Sequence, residues 1–299
     1  MDNITKQISE EFKNIYFIRG ARNARYPNSH SILIGDYLID TGISRKLLKK
    51  VKQQFVLNTV LLSHWHEDHI SGNSILKDVR FLCHERDQSV IEDIDKMYSY
   101  YGVENIAAGE ELKTLNEYLG VKSIKVDGNI SDNDIIHIGE DLKLKIIYTP
   151  GHTAGHCSFL ELSSKIGFFG DIDLTKFPYY GNIDADLIAF EKSIEKLKNL
   201  DINVAVTGHR EPLEGKKEIK NELEKYKTIL EKRDERILTF LSERNPISLK
   251  DFKSKNLIYK TYTFENFEPI AELIMVEKHL EKFLAQKLII PKDNGFILS

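Results

Sequence analysis

Cysteine is scarce in this chain. Two residues in 299 cannot build a disulfide framework. Both, Cys83 and Cys157, fall in apolar stretches that read as strands, 80–83 and 156–162, where a thiol packs as a small hydrophobe. Long apolar runs are missing too: nowhere do about 18 apolar residues follow one another, so no stretch reads as a membrane-spanning helix and no membrane partner is expected. Residues 1–7 lack the basic-then-apolar order of a secretory signal, which makes the cytoplasm the expected location. A basic excess is also lacking, since 42 Lys and Arg stand against 46 Asp and Glu, and a net charge of −4 gives no electrostatic argument for a polyanionic partner. Neither a glycine-rich phosphate loop nor a dinucleotide fingerprint occurs. With 41% hydrophobic and 29% charged residues, the chain has the composition of a soluble globular protein with a large core and room for a second, smaller domain.

Histidine, by contrast, is concentrated. Of ten in the chain, three fall within six positions, in Ser63-His64-Trp65-His66-Glu67-Asp68-His69, directly after the apolar run Thr59 to Leu62. That run reads as a buried strand, so the histidines begin where the strand ends and the chain turns. In extended backbone, side chains two apart point the same way; His64 and His66 therefore converge, and the following turn aims Asp68 and His69 elsewhere. Two neighbouring metal sites are predicted. Three later segments each place a further metal-capable residue after a short apolar stretch: Thr149-Pro150-Gly151-His152-Thr153-Ala154-Gly155-His156, Phe169-Gly170-Asp171 and Thr207-Gly208-His209.

The order of these motifs resembles the metallo-β-lactamase superfamily over roughly residues 10–215, with Asp40 in Leu38-Ile39-Asp40-Thr41-Gly42 matching the family's early aspartate. The resemblance implies an α/β fold, an αββα sandwich of the metallo-β-lactamase type. It also implies two divalent metal ions per chain: His64, His66 and His152 hold one, Asp68, His69 and His209 the other, and Asp171 bridges them. Asp40 supports the site without ligating, and Asp68 doubles as the residue that orients the nucleophile or accepts its proton. Donors limited to imidazole and carboxylate make zinc the expected metal, with iron or manganese open. Three protein ligands per ion leave a position for water, as in catalytic zinc sites.

Outside these motifs, 15–18, 29–34 and 37–40 read as strands with a hairpin turn at Gly35-Asp36, and 44–54 as a helix. Residues 73–78 read as a short helix and 85–101 as one longer helix, and an inserted helical lid over 87–120 would account for the long spacing between His69 and His152. Tyr98, Tyr100 and Tyr101, with Met97, are candidates to line the substrate entrance, with core packing the commoner role of aromatics at a helix end. Strands are predicted at 135–138, 142–149, 165–169 and 203–206, and a helix at 184–199. His84, His156 and Asp173 lie outside the pattern; the first two read as structural and Asp173 as a competitor of Asp171. Tyr179 and Tyr180 could reach the site as hydrogen-bond donors. Arg19, Arg22 and Arg25 sit in one loop, where solvated charge is the reading preferred over an anion site.

The chain divides at 215: residues 1–215 form the hydrolase domain, and 216–299 a linking helix and a winged-helix-like C-terminal α+β domain. Helices at 216–242, 246–252 and 269–287 followed by a hairpin at 288–298 resemble the module of a lactamase-like branch that includes an endoribonuclease. The third helix mixes Glu272, Glu277 and Glu281 with Lys278, Lys282 and Lys287, which would neutralise phosphates poorly, so covering the substrate or forming a homodimer is the preferred role. The segment 149–156 looks like that of glyoxalase II-type thioesterases. The expected activity is therefore a dinuclear metal-dependent hydrolase using a metal-bound hydroxide on an ester, thioester or lactone of a small molecule. A single-stranded endoribonuclease acting on RNA is the alternative, and a non-catalytic metal-binding regulator a further one.

Overall fold

A computed structural model describes residues 5–8, 12–243 and 246–299. Two mixed β-sheets face each other. The first has seven strands in chain order, Thr5–Gln7, Ile15–Ile18, Ser31–Ile34, Tyr37–Ile39, Thr59–Leu61, Arg80–His84 and Gly128–Ile130. The second has six strands, running from Leu213–Glu214 at one edge through Val204–Val206, Ile166–Phe168, Cys157–Glu161 and Leu142–Tyr148 to Ile135–Ile138. Between them lies a core drawn from both, including Phe17, Ile32 and Leu61 on one side and Ile146, Phe159 and Phe168 on the other. The two outer faces are covered by helices. Arg45–Gln54, Glu85–Glu92, Lys96–Tyr100 and Ala107–Leu119 close over the first sheet, and Leu187–Lys198, Lys216–Ser242 and Glu268–Ala285 over the second. This is the αββα sandwich expected from the sequence.

The long helix Lys216–Ser242 buries Ile219, Leu223, Tyr226, Leu230, Ile237 and Leu241, the stripe that three-and-four spacing requires. It packs on Leu187–Lys198, so the C-terminal apolar residues share one continuous core with those behind the second sheet. Each large side chain buried there contributes about 1.5–3 kcal/mol. A short 3-10 turn Leu249–Phe252, the helix Glu268–Ala285 and the hairpin of Ile289–Lys292 with Gly295–Leu298 follow in the expected order.

Two expectations need correction. The helix expected over 85–101 is two helices, because Asp93 and Ile94 leave helical geometry between Glu92 and Lys96. The helix expected at 73–78 is a 3-10 turn, Asn73–Ile75. Of the charges on the last helix, Glu277, Glu281 and Lys287 are exposed, while Glu272, Lys278 and Lys282 are buried. Glu272 accepts the Ile258 N–H at 2.8 Å, and Lys282 is paired with Asp234 at 2.6 Å and with Glu191.

His30, directly before the strand Ser31–Ile34, has no exposed surface and packs 4.8 Å from the Phe17 ring. Its Nδ1 accepts the Gly20 N–H at 3.1 Å, so the neutral ring carries its proton on Nε2. Burial, with His209 and Arg19 nearby, pulls its pKa down to about 3. Because the folded pKa is depressed, the unfolded chain takes up the proton first as pH falls. Stability is therefore complete above about pH 6.5 and is lost progressively toward pH 3. The unfolding free energy is expected to be about 2 kcal/mol lower at pH 5 than at pH 7 on account of this group. Urea unfolding at the two pH values should show His30→Asn removing that difference; an undiminished difference would mean that His30 charges inside the fold.

Candidate metal centre

Every residue singled out by the motifs sits on the same rim of the sandwich, where strands of both sheets end. Asp40 follows Tyr37–Ile39, the His64 to His69 stretch follows Thr59–Leu61, His152 follows Leu142–Tyr148, Asp171 follows Ile166–Phe168 and His209 follows Val204–Val206. The chain brings their donor atoms into two groups, His64, His66, His152 and Asp171 in one and Asp68, His69 and His209 in the other, with all atoms of a group within 4.8 Å of one another.

The Asp171 carboxylate lies between the groups. Its Oδ2 is 3.4 Å from His152 Nε2 and 3.9 Å from His64 Nε2. Its Oδ1 is 2.9 Å from His69 Nε2 and 3.4 Å from His209 Nε2. Asp68 Oδ2 approaches His209 Nε2 at 3.3 Å, and His66 Nδ1 faces His152 Nε2 at 2.9 Å. Donors about 2.1 Å from a shared tetrahedral centre stand about 3.4 Å apart, which is the spacing seen. Among the described residues, His64 Nε2, His69 Nε2 and Asp171 Oδ1 are buried atoms without a hydrogen-bond partner. Both observations fit two metal ions.

The protonation pattern points the same way. His69 Nδ1 donates to Asp40 Oδ2 at 2.7 Å, His152 Nδ1 to the Tyr179 carbonyl at 2.8 Å and His209 Nδ1 to the Ala24 carbonyl at 2.9 Å. Ser63 Oγ gives its one proton to Asp40 Oδ2 at 2.6 Å, so at 2.9 Å it must accept from His64 Nδ1. In four rings the outward nitrogen is therefore a hydrogen-bond donor and the inward nitrogen faces the donor group, the orientation metal-ligating imidazoles need. Burial, reinforced by His69 and His152 respectively, holds His64 and His66 well below the usual imidazole range. Burial would lower His69 and His209 as well, but Asp171 and its neighbouring carboxylates outweigh it and hold both well above that range.

Residues outside the two groups support them. His156 donates from Nδ1 to the Thr149 carbonyl at 2.9 Å and accepts the Asp171 N–H on Nε2 at 3.0 Å, and burial and His152 bring its pKa to about 3. His84 caps the helix Glu85–Glu92 and stacks on Tyr148 at 4.2 Å. Asp173 stands beside the site rather than in it, raised to about 6 by burial and by Asp171. Tyr179 contributes its carbonyl, while the buried Tyr180 hydroxyl pairs with His279 Nε2 at 2.7 Å. Of the three arginines, Arg19 is paired with Glu211 at 2.6 Å, and Arg25 lines the cavity above the donors.

Two features were not visible in the sequence. Glu67, between two donors, turns away from them: it accepts the Tyr26 hydroxyl at 2.6 Å and the Tyr101 hydroxyl at 2.8 Å. The turn Ala21–Ala24 holds Arg22, Asn23 and Ala24 at positive φ, which aims the Ala24 carbonyl at His209. Neither has a local signal, since a carboxylate in a polar run and an Ala-Arg-Asn-Ala string both read as surface.

The fold and the paired donor groups define the class of metal-dependent hydrolases built on this sandwich. The chain belongs to the metallo-beta-lactamase superfamily, whose family model matches residues 27–209. Among curated relatives it is 26% identical over 136 residues to the hydroxyacylglutathione hydrolase GloC of Haemophilus influenzae, covering 44% of this chain and 57% of that protein. It is 25% identical to the beta-lactamase-like protein 2 homolog of Drosophila melanogaster, over 76% of this chain and 68% of the relative. An uncharacterized protein of Aquifex aeolicus matches at 27% identity over 45% of this chain and 58% of its own length. The chain thus spans little more than half the length of the first and third of these. Among solved structures, a metallo-beta-lactamase family protein from Thermus thermophilus superposes with a TM-score of 0.68 at 19% identity, over 99% of this chain and 97% of that one. A beta-lactamase domain protein from Burkholderia ambifaria superposes at 0.73 and 13% identity, over 99% and 95%. Both likenesses run through the C-terminal helices and hairpin. No helix among the described residues is long and apolar enough to cross a membrane.

Proposed function

We propose that the chain hydrolyses an ester, thioester or lactone of a small molecule, with His64, His66 and His152 holding one metal ion, Asp68, His69 and His209 a second, and Asp171 shared. The observation that carries this reading is the Asp171 carboxylate, with one oxygen toward each donor group at the floor of a cavity of about 660 Å³. When bound, two such ions supply Lewis acidity and a water that ionises near neutral pH. Zinc suits the nitrogen and oxygen donors, with iron and manganese the other candidates. The chain's own residues do the rest: Asp40, Ser63, Tyr179 and Ala24 fix the imidazole tautomers, and Asp68 orients the attacking water and takes its proton. We take residues 1–215 as the hydrolase unit and 216–299 as the unit that covers the substrate. The hydroxyacylglutathione hydrolase among the relatives supports a thioester or ester over a phosphodiester. So does the burial of Lys278 and Lys282, which leaves the last helix poor in cations for an RNA backbone.

The test is metal content by plasma mass spectrometry together with turnover of a generic thioester, an aryl phosphodiester and a short single-stranded RNA. About two ions per chain are expected, with thioester turnover, and His66→Ala should lose both. Asp68→Asn should depress kcat more than it raises KM. A folded chain that takes up no metal on reloading and turns over none of the three substrates would replace this reading with a binding role, and cleavage of RNA alone would replace the substrate class.

A further inference from the structure

The cavity above the donors is walled by aromatic rings from three separate parts of the chain. Tyr101 comes from the helical segment over the first sheet, Phe177 and Tyr179 from the loop after Asp171, and Tyr259 and Phe267 from the C-terminal segment. They touch in pairs across the space: Tyr101 and Phe267 centroids are 5.3 Å apart, and Phe177 and Tyr259 4.6 Å. The wall continues into the metal centre, for the His66 ring stacks on Tyr101 at 5.4 Å and meets Tyr179 edge-on at 5.8 Å.

The hydroxyls of Tyr101 and Tyr179 are already engaged. Glu67 accepts the Tyr101 hydroxyl, and with its other oxygen that of Tyr26, while the Tyr179 hydroxyl donates to the Gly181 carbonyl at 3.1 Å. Tyr101 and Tyr179 therefore present ring carbon to the cavity, as Phe177 and Phe267 do. The charged groups on its wall beyond the metal donors are Glu67, Glu111, Asp173 and Glu268, against one cation, Arg25. Beyond the metal donors, an anionic acyl group would meet these carboxylates and find Arg25 as its one cationic side chain. The volume of about 660 Å³ is that of a site for a drug-sized ligand.

We infer that this cavity binds the acyl part of the substrate, and that this part is uncharged, apolar and bulky: an arylacetyl or medium-chain acyl group, with the C-terminal segment supplying part of the enclosure through Tyr259 and Phe267. The inference rests on the hydrolase reading above and narrows it to a substrate class. It disfavours substrates whose acyl group bears a charge, and it assigns the C-terminal segment a part in specificity.

Two measurements separate this inference from the reading it rests on. The first is kcat/KM of the metal-loaded protein for aryl esters of acetate, butyrate, hexanoate, phenylacetate and succinate. Turnover is expected to rise roughly fourfold per buried methylene until the cavity is full, and the succinyl ester should be the poorest. The second needs no turnover. Trp65, the single tryptophan, lies 4.9 Å from Tyr101, so its fluorescence reports binding of the corresponding primary amides to the wild-type chain. Phe267→Ala should flatten the length dependence in both measurements, and Ala108→Leu, which fills the wall, should shift the optimum to shorter chains. Esters hydrolysed with a flat or inverted length dependence would overturn the inference and leave the hydrolase reading standing. Amides bound in the expected order by a chain that hydrolyses no ester, thioester or lactone would overturn the hydrolase reading and leave the apolar site. If the variants fail to fold, the wild-type series still decides.

Discussion

Asp171→Ala is expected to yield a folded chain that holds fewer than two metal ions and hydrolyses its ester substrate at least about a hundredfold more slowly. The fold survives because the main-chain N–H of this residue, which donates to His156 Nε2 at 3.0 Å, is retained, and the side chain bonds only toward the donor groups. The site does not survive, because one carboxylate serves both groups, and its loss leaves His69 and His152 each without the oxygen that stands between them. Lewis-acid stabilisation of several kcal/mol is lost with the ions, and about 1.4 kcal/mol corresponds to a factor of ten. Metal content and kcat/KM measured on the same preparation check this. Two ions retained with turnover within a few-fold of the wild type would remove Asp171 from the shared position.

The second large effect is predicted at a residue with no side chain. A methyl group on Gly42 would overlap the carbonyl oxygen of Asp68 and come within 2.5 Å of its carbonyl carbon and of Ser29 Oγ. All are held: Ser29 Oγ donates to that carbonyl oxygen at 2.9 Å, and the neighbouring Thr41 N–H donates to the His69 carbonyl at 2.8 Å. Gly42→Ala must therefore push the segment that carries Asp68 and His69 away from Asp40, whose carboxylate orients His69 at 2.7 Å. A displacement of about 1 Å at a reacting centre costs about a hundredfold in rate, so turnover should fall by that order with a parallel weakening of one of the two metals. Stepwise metal titration resolves the two ions; equal affinity for both in the variant would show that the segment yields without moving its side chains.

Much of the centre was legible because its chemistry is local. His64 and His66 are two apart on extended backbone, Asp68 and His69 follow in the next turn, and His152, Asp171 and His209 each come after a short apolar run, so residue type and spacing sufficed to single them out. The helix 216–242 was legible to the residue for a similar reason, a long three-and-four stripe between Gly215 and Glu243. The edge strands Thr5–Gln7, Gly128–Ile130 and Leu213–Glu214 were not, since two or three residues carry no period and exist only by pairing with a neighbour. The break at Asp93 and Ile94 was hidden because the charge pattern on either side suits a continuous helix.

The sequence by itself determined which residues can bind metal and at which strand ends they stand, because strand periodicity and donor chemistry are properties of neighbouring residues. Only the tertiary structure decided which nitrogen of each imidazole points inward, because the partners that set it are remote: the Ala24 carbonyl lies 185 positions from His209, and Asp40 lies 29 from His69. It decided likewise that Glu67 serves the cavity wall rather than the two donor groups, and that Lys282 is spent on Asp234 and Glu191. A charge is solvated or buried according to what the rest of the chain packs against it, and that is not written in its neighbours.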